Sequence, residues 1–547
     1  MSNFSARILG SALSALKAQQ AKLAVASNNI ANAQTPGYSR RVVNLAEKSS
    51  LDSSNFRGLG YGVEIQSVRR VTDSLLHRNL LIETSQLNFH SSQKSLLEKL
   101  DSLFGTNGVG GALQAKIDEF FQSLENAAQN PSSSAYRQAV IQKGSLLADT
   151  IRLTFSSLAA AQREANSLLL DHVEKVNQLT SQIATLNQQI AGFEAQNGHE
   201  SALDLRDQRD ALLQQLAQYV NFDTVETSNG QVSVFLKNGI ALVNGSNTLE
   251  LKALTNPSFA STPLPALDGG ALHYVVAELS PGAHIDLSEV LKDSGGSIGG
   301  LLKFRGTATT ATSALDVEGS VVSVARKIES LARFFLTTVN QIYRGWDPNL
   351  PSNGDENPGT PGVFDASSVD LYGNSPGVYG LFGTSGITLT DTNGDGLPND
   401  LPNNTTLADK IRFLVSDPNS LAFARDLDPT PGSVTFAPGD GTIAANLAAA
   451  RYQNHLFSAP NFSYNGKISD VVNLTNSQVG ALVSSNSQNT AYSSARVEFF
   501  TQKLEEVRGV DTDEELAKII EAQRYYEMAS KLIRISDNLL ETILRVI

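Results

Sequence analysis

Apolar residues recur at every seventh position at both ends of the chain. Near the start, Leu9, Leu16, Leu23 and Ile30 keep that period, with Leu13 on the same face. Near the finish, Ile519, Tyr526, Ile533, Leu540 and Ile547 keep it, flanked by Tyr525, Leu532, Leu539 and Val546. A sustained heptad requires a helix whose narrow apolar seam is covered by another helix. Terminal segments are ordinarily frayed and expendable. Two sticky helical ends, hundreds of residues apart, therefore predict termini that join each other and neighbouring subunits. That is the pattern of a polymer subunit and not of an enzyme.

Between the ends the period changes several times. Helical spacing predicts a first helix from about Ser5 to Asn32, stopped by the turn Gln34-Thr35-Pro36-Gly37. The stretch from Tyr38 to Gly62 is rich in Ser, Asn and Gly and is expected to be extended. Helices are predicted over Thr72 to Leu103 and Ala112 to Gln129, and a very long one from after Pro131 to about Gln196. The long helix carries two seams, Leu169, Val176, Ile183, Ile190 and His172, Leu179, Leu186, Phe193, whose three-and-four spacing calls for a packed partner. A shorter helix is expected over Leu203 to Tyr219. Alternation then switches to two: Val232, Val234 and Leu236 alternate with other residues, and Asn229-Gly230 and Asn238-Gly239 are hairpin turn signals. Helical spacing returns from Ile298 to Tyr343, followed by a loop-rich block from Trp346 to about Pro402. Short helices are expected over Thr405 to Arg425 and Ile443 to Tyr452, and long ones over Asn473 to Val507 and Glu514 to Ile547. Asp511 with Glu514, or Thr512 with Glu515, makes a capping box for the last helix.

Proline placement supports the same division. Twelve of the 18 prolines lie between Pro348 and Pro460, so proline-poor helical arms flank a proline-rich middle. The fold class that follows is mainly α with inserted β domains: a discontinuous multidomain chain with N- and C-terminal helices paired as a coiled coil, a long helical bundle next to it, and β-rich central insertions. Its parts are expected to be a terminal-helix polymerisation domain (1–50 plus 510–547) and a helical bundle (51–220 plus 296–345 plus 465–509). A β-rich insert (221–295) and a loop- and β-rich insert with short helices (346–464) complete the chain.

Composition narrows the function without naming it. At 547 residues the chain has length for roughly three or four domains of about 150 residues each. Its 42 basic and 55 acidic residues leave a net charge of −13, which argues against nucleic acid or an anionic membrane surface as the partner. Cysteine is absent, which excludes disulfides and thiolate metal sites. No apolar run of about 18 residues exists to span a bilayer. The first 20 residues lack the basic and apolar regions of a cleaved signal, so the protein is expected either to stay in the cytoplasm or to leave by a route without one.

The segment Ala26 to Arg41 reads ASNNIANAQTPGYSRR. As chemistry it ends a helix: Asn28, Asn29 and Asn32 offer side-chain amides, Pro36 blocks continuation, Gly37 relaxes the turn and Tyr38 supplies an aromatic anchor. As a string it resembles the N-terminal signature of the bacterial flagellar axial proteins, the rod, hook and hook-associated proteins, and its TPGYSR ending is most similar to the hook-associated members. Three further segments resemble the same family. Gly58-Leu-Gly60-Tyr-Gly62-Val63-Glu64-Ile65, followed by Arg69, Arg70, Asp73 and Leu75, is similar to its second characteristic stretch. Gly299-Gly300-Leu301-Leu302-Lys303-Phe304-Arg305 resembles the start of its returning helix, and Val510 to Ile547 its closing helix. The likeness covers about the first 220 residues, the 295–345 helix and the last 80.

The resemblance implies a structural subunit without catalytic, cofactor or metal sites, exported unfolded through the flagellar apparatus to the hook–filament junction outside the cell. Its partners would be identical subunits in a helical layer, the flagellar hook protein, a second junction protein and an export chaperone on the C-terminal helix; nucleic acid and membrane are not among them. Head-to-tail packing of identical subunits generates such a layer and not a closed dimer. An isolated amphipathic helix is marginal until partnered, so the termini would order on assembly. The working residues would be the assembly seam of Leu9, Leu13, Leu16, Leu23, Ile30, Ile519, Tyr526, Ile533 and Leu540, with the turn Asn28 to Tyr38. The alternatives are another hook or rod component, or a secreted adhesin carried on flagellar-type ends.

Several short patterns imitate active sites. Gly295-Gly296-Ser297-Ile298-Gly299 fits the G-x-S-x-G elbow, but Val290-Leu291-Lys292-Asp293-Ser294 is a poor preceding strand and His455 the only later histidine; a Gly-rich helix start is the better reading. Asp391, Asn393 and Asp395 with Gly396 match half of a calcium loop, yet Pro402 stands where a bidentate Glu belongs, so a calcium-free turn is favoured and calcium binding stays open. Gly58, Gly60 and Gly62 lack phosphate-loop spacing. His172 on an apolar seam is expected to be a packed residue, and His284-Ile-Asp286 suggests a strand end.

Overall fold

A computed structural model of the chain describes residues 2–48, 62–105, 108–198, 201–347, 363–364, 368–376, 380–387, 401–402, 405–426 and 436–546. These pack as two compact units: Met1–Leu87, Lys175–Glu250 and Ala491–Ile547 make the first, and Asn88–Glu174 with Leu251–Thr490 the second.

The first unit opens with helix α1 (Ser2–Ala31) and an antiparallel hairpin of β1 (Arg41–Glu47) and β2 (Val63–Arg70), so part of the stretch expected to be extended is a strand. Helix α2 (Ser74–Phe104) begins beside Asp73, whose Oδ1 accepts from the backbone N–H of Leu75 at 2.9 Å and Leu76 at 3.0 Å, satisfying amides that have no partner within the helix. Helix α3 (Leu113–Gln129) belongs to the second unit, while the 64-residue α4 (Ser134–Asn197), roughly 95 Å long, contributes to both. The seam residues Leu169, Val176, Ile183 and Ile190 are all fully buried, whereas Phe193 is exposed. Helix α5 (Leu203–Ala217) leads to a four-stranded antiparallel sheet of β3 (Phe222–Glu226), β4 (Val232–Leu236), β5 (Ala241–Asn244) and β6 (Asn247–Thr248) in sequence order. Its turns fall at Asn229-Gly230 and Asn238-Gly239, where both glycines have positive φ, as the turn chemistry requires.

The second unit contains a three-stranded antiparallel sheet, with β10 (Tyr274–Ser280) between β7 (Leu251–Leu254) and β11 (Ala283–Asp286), and a small pair of β8 (Leu264–Pro265) with β9 (Ala271–Leu272). The helical return is α6 (Ser288–Lys292), α7 (Gly296–Arg305), α8 (Ser320–Phe334), a π-turn over Phe335–Val339 and α9 (Asn340–Tyr343). The single helix expected over Ile298 to Tyr343 is thus broken after Arg305, where the chain makes a bridge between Thr307 and Glu318. Short strands β12 (Trp346–Asp347) with β13 (Val363–Phe364), β14 (Ser368–Val369) with β17 (Ala424–Arg425), and β15 (Phe382–Thr384) with β16 (Ile411–Phe413) follow. Helix α10 (Thr442–Ala449), the hairpin β18 (His455–Ala459) and β19 (Phe462–Gly466), and the first part of α11 (Ile468–Arg508) complete the unit.

The segment Thr405 to Arg425 is not the short helix its spacing suggested; it holds β16, β17 and a single 3-10 turn at Pro418–Ser420. The fully buried Glu329 carboxylate accepts from the backbone N–H of Leu407 and Ala408, each at 2.9 Å, and pairs with Arg333 at 2.9 Å. Arg137 donates to the Leu421 carbonyl at 2.7 Å. Buried charges of this kind need committed partners, and extended backbone supplies them where a helix would have consumed them internally. An aromatic cluster packs alongside: Phe120, Phe335, Phe382 and Phe413 meet edge to face or tilted at centroid distances of 5.0–6.4 Å.

Candidate assembly interface

Helix α12 (Thr512–Val546) packs along α1 within the first unit. The end of α1 meets the beginning of α12, so the two run antiparallel. Asp511 caps the start of α12, its Oδ1 accepting from Asp513 N at 2.9 Å and Glu514 N at 3.2 Å.

The seam between these helices is built from smaller residues than the heptads suggested. On α12 the buried positions are Glu515, Ala522, Ala529 and Ser536, an unbroken seven-residue series. On α1 they are Ala12, Ala18, Ala26 and Asn29. Leu9, Leu16, Leu23 and Ile30 on α1, and Ile519, Tyr526 and Ile533 on α12, are half-buried. Leu13 is 48% exposed, off the seam, and the side chain of Leu540 lies outside the described residues, as does Ile547. Small residues let the two backbones approach, and the larger apolar neighbours are left only partly covered. Leu516, Ile520, Tyr525, Met528, Leu532 and Ile535 stand 46–54% exposed along α12.

The turn motif sits where the two helices meet. Asn29 is fully buried and its amide uses all four of its hydrogen-bonding positions. Its Oδ1 accepts from Arg41 N at 3.0 Å and from the Tyr38 hydroxyl at 2.8 Å; its Nδ2 donates to the Arg41 carbonyl at 3.0 Å and to Glu515 Oε2 at 3.0 Å. The Tyr38 hydroxyl also lies 3.0 Å from Asn28 Oδ1, while Asn32 Nδ2 donates to the Asn28 carbonyl at 3.0 Å. Pro36 stops the helix, Gly37 turns at φ +82°, and the Arg41 guanidinium covers the Tyr38 ring at 5.0 Å. Burial raises the Tyr38 pKa, with Arg41 opposing. Gly62, at the start of the hairpin's return strand, lies against Ser14 of α1, where a Cβ would collide with the Ser14 hydroxyl. That hydroxyl accepts from Val63 N at 3.2 Å.

The hairpin is clamped from a second side by α5, which presents Asp204, Asp207 and Asp210 at three-residue intervals. Arg41 pairs with Asp204, and Arg70 with Asp207 at 2.7 Å and Asp210 at 2.9 Å. Burial works against the Arg70 charge, but the two carboxylates outweigh it and the net shift is upward. Burial likewise raises Asp207, with Arg70 opposing. Arg40 closes the group, its N–H donating to the Arg508 carbonyl at 2.9 Å and its guanidinium pairing with Glu514 at 3.1 Å. Glu515, Arg41, Arg70 and the α5 aspartates were not among the residues the sequence singled out for the interface. Glu515 in a heptad with Ala522 and Ala529 was the one legible sign.

The imitated active sites that fall among the described residues resolve as packing. Gly295 and Gly296 have positive φ and start α7, and Ser297 Oγ lies 2.9 Å from His172 Nδ1 on α4. That histidine comes from upstream, where the elbow pattern does not place it; Ser297 is 7% exposed, and burial lowers the His172 pKa. His284 Nδ1 accepts from Ser258 N at 3.2 Å, while Asp286 accepts from Ser288 N at 2.8 Å beside α6, so the two serve different turns. Asp391, Asn393, Asp395, Gly58 and Gly60 lie outside the described residues. Among the described residues no group of three or more His, Asp or Glu is placed to hold a metal ion, and no helix is long and apolar enough to cross a membrane.

Comparisons with known proteins agree with this architecture. Residues 97–355 match the family described as the flagellar hook-associated protein FlgK helical domain. Residues 9–38 match the flagella basal body rod protein family, and residues 502–546 the C-terminal family of flagellar basal body rod FlgEFG proteins. The flagellar hook-associated protein 1 of Bacillus subtilis is 25% identical over 559 aligned positions, covering 98% of this chain and 97% of that protein. The proteins of that name from Escherichia coli and Salmonella typhimurium are 29% and 30% identical over 54% of this chain. The chain spans about half the length of these last two, 52% and 51%. Among solved structures, the flagellar hook junction protein FlgK from Burkholderia pseudomallei shares the fold, with a TM-score of 0.56, 17% identity, and coverage of 79% of this chain and 100% of that one.

Proposed function

We propose that this chain, a member of the flagellar hook-associated protein 1 family, is a structural subunit that polymerises through its paired terminal helices into the layer joining hook to filament. In this reading it does no chemistry; it holds a fixed surface to a neighbour on either side. Its partners are further copies of itself, the hook protein on one side and a second junction protein on the other. An export chaperone holds the C-terminal helix before assembly, and the chain leaves the cell unfolded through the flagellar export apparatus.

The observation that carries the proposal is the two-faced α12. Its inner face is satisfied by α1 through small residues, while its outer face exposes Leu516, Ile520, Met528, Leu532 and Ile535. Exposed apolar stripes of that extent mark surfaces that a neighbour covers. Because the neighbour is another copy of the same chain, contacts on two different faces propagate into a layer.

Removing residues 512–547 tests it. The truncated chain is expected to keep the second unit folded while cells producing it form hooks and no filaments. Filaments of normal number and length from the truncated chain overturn the proposal.

A further inference from the structure

The geometry points to Asn29 and Glu515 as a positioning pair that makes docking of α12 conditional on the folded turn motif; its role in assembly rests on the function proposed above. Glu515 is a carboxylate placed where the seam otherwise carries Ala522, Ala529 and Ser536, and only 3% of its side chain is exposed. A buried carboxylate is tolerated only with committed donors. Two are present: Lys518 Nζ at 2.8 Å, from one turn further along α12 itself, and Asn29 Nδ2 at 3.0 Å. Lys518 travels with α12 whether or not the helix docks. Asn29 is therefore the donor that distinguishes the docked state.

The Asn29 amide is in turn not free to rotate. Its carbonyl is held by Arg41 N and Tyr38, and its second N–H by the Arg41 carbonyl, so the N–H aimed at Glu515 is oriented only when β1 and the turn are formed. A hydrogen-bond network of this kind is worth more complete than the sum of its parts, and a half-satisfied one costs more than none. Two residues 486 positions apart thus report to each other: if the turn is unformed, α12 would bury a charge against an undirected amide. Ordering of α1, the hairpin and α12 becomes one event, which gives a chain with marginal free ends a single assembled state.

Three variants of the full-length chain test the pair, with amide hydrogen exchange along α12 and filament growth in cells as separate readouts. Glu515→Gln keeps an acceptor oxygen for Asn29 and is expected to keep protection and filaments. Asn29→Asp sets two carboxylates against each other and is expected to lower protection over residues 512–536 at least tenfold and to stop filament growth. Asn29→Asp with Glu515→Gln restores a donor facing an acceptor within the pair, while the bond to the Arg41 carbonyl stays lost, and is expected to regain part of the lost protection. Full protection in Asn29→Asp, or no recovery in the double variant, overturns the pair whatever the filaments do. Protection that follows the pair while filaments grow normally throughout leaves the coupling standing and overturns the assembly reading instead.

Discussion

Helices α8 and α12 bury themselves to opposite degrees. Twelve of the 15 residues of α8 are buried, among them Val321, Val324, Ile328, Leu331 and Phe334, and the cluster of Phe120, Phe335 and Phe382 continues from its end. On α12 the buried side chains among those described are Glu515, Ala522, Ala529 and Ser536, while Leu516, Ile520, Tyr525, Met528, Leu532 and Ile535 stay about half exposed. A fully buried Phe contributes several times the apolar burial of an Ala, so the second unit is stabilised by its own core and the terminal pair is not. The difference separates what the chain must do alone from what it does in company. A core complete within one subunit can fold without a neighbour; a helix whose larger apolar side chains stay about half exposed leaves much of its hydrophobic surface uncovered.

The comparison breaks most directly in the aromatic core. Phe335 is fully buried and touches four other rings. Replacing Phe335 with Ala is expected to cost about 3–5 kcal/mol, from lost transfer energy and the cavity left behind. Denaturant unfolding should show the second unit destabilised by that amount, while hydrogen exchange in α12 stays unchanged. A parallel loss of protection in α12 would mean that the two regions fold as one.

A smaller contrast comes from histidines. In the second unit burial pushes the pKa values of His90, His172, His273 and His455 below the ordinary value; in the first unit burial does the same to His77, aided by Arg508 and Arg70 and opposed by Asp210. A lowered folded pKa means that the unfolded chain takes up the proton more readily. The stability these groups contribute is therefore complete above an unfolded pKa of about 6.5, and it is lost as the pH falls through the folded values. Hydrogen exchange compared between pH 7 and pH 5 should show α8 losing more protection than α5. Equal losses would show that the histidines do not set the difference.

How much of this was legible in the sequence follows the same divide. Long helices with large side chains were readable because Leu169, Val176, Ile183 and Ile190 both keep the period and fill the core. The two Asn-Gly hairpin turns were readable because the turn chemistry is local. The terminal seam was readable only in half. Leucines and isoleucines mark a heptad, but the positions that bury most completely are alanines together with Asn29, Glu515 and Ser536, which carry no hydrophobic signal strong enough to stand out. The Asn29–Glu515 contact was out of reach, since no local pattern links residues at opposite ends of a chain. The segment from Thr405 to Arg425 was misread because LADKIRFL has helical spacing while its backbone N–H groups are claimed by Glu329, a tertiary demand that overrides propensity.

The smallest effect on stability is expected where the largest effect on assembly lies. Leu532 and Ile535 are 49% and 54% exposed on α12, and neither fills the seam with α1. Replacing both with Ser changes the stability of the isolated chain by no more than about 0.5 kcal/mol per site, since surface substitutions away from caps and cores are nearly neutral. In an assembled layer the half of each side chain still exposed would be covered, which is worth roughly 1 kcal/mol each. The double variant should therefore unfold at the same denaturant concentration as the parent and yet fail to support filaments. If it unfolds early, these residues belong to the folded subunit and the contrast with α8 is only one of degree. If it folds and assembles normally, the outer stripe of α12 is not the surface that the neighbouring copy covers.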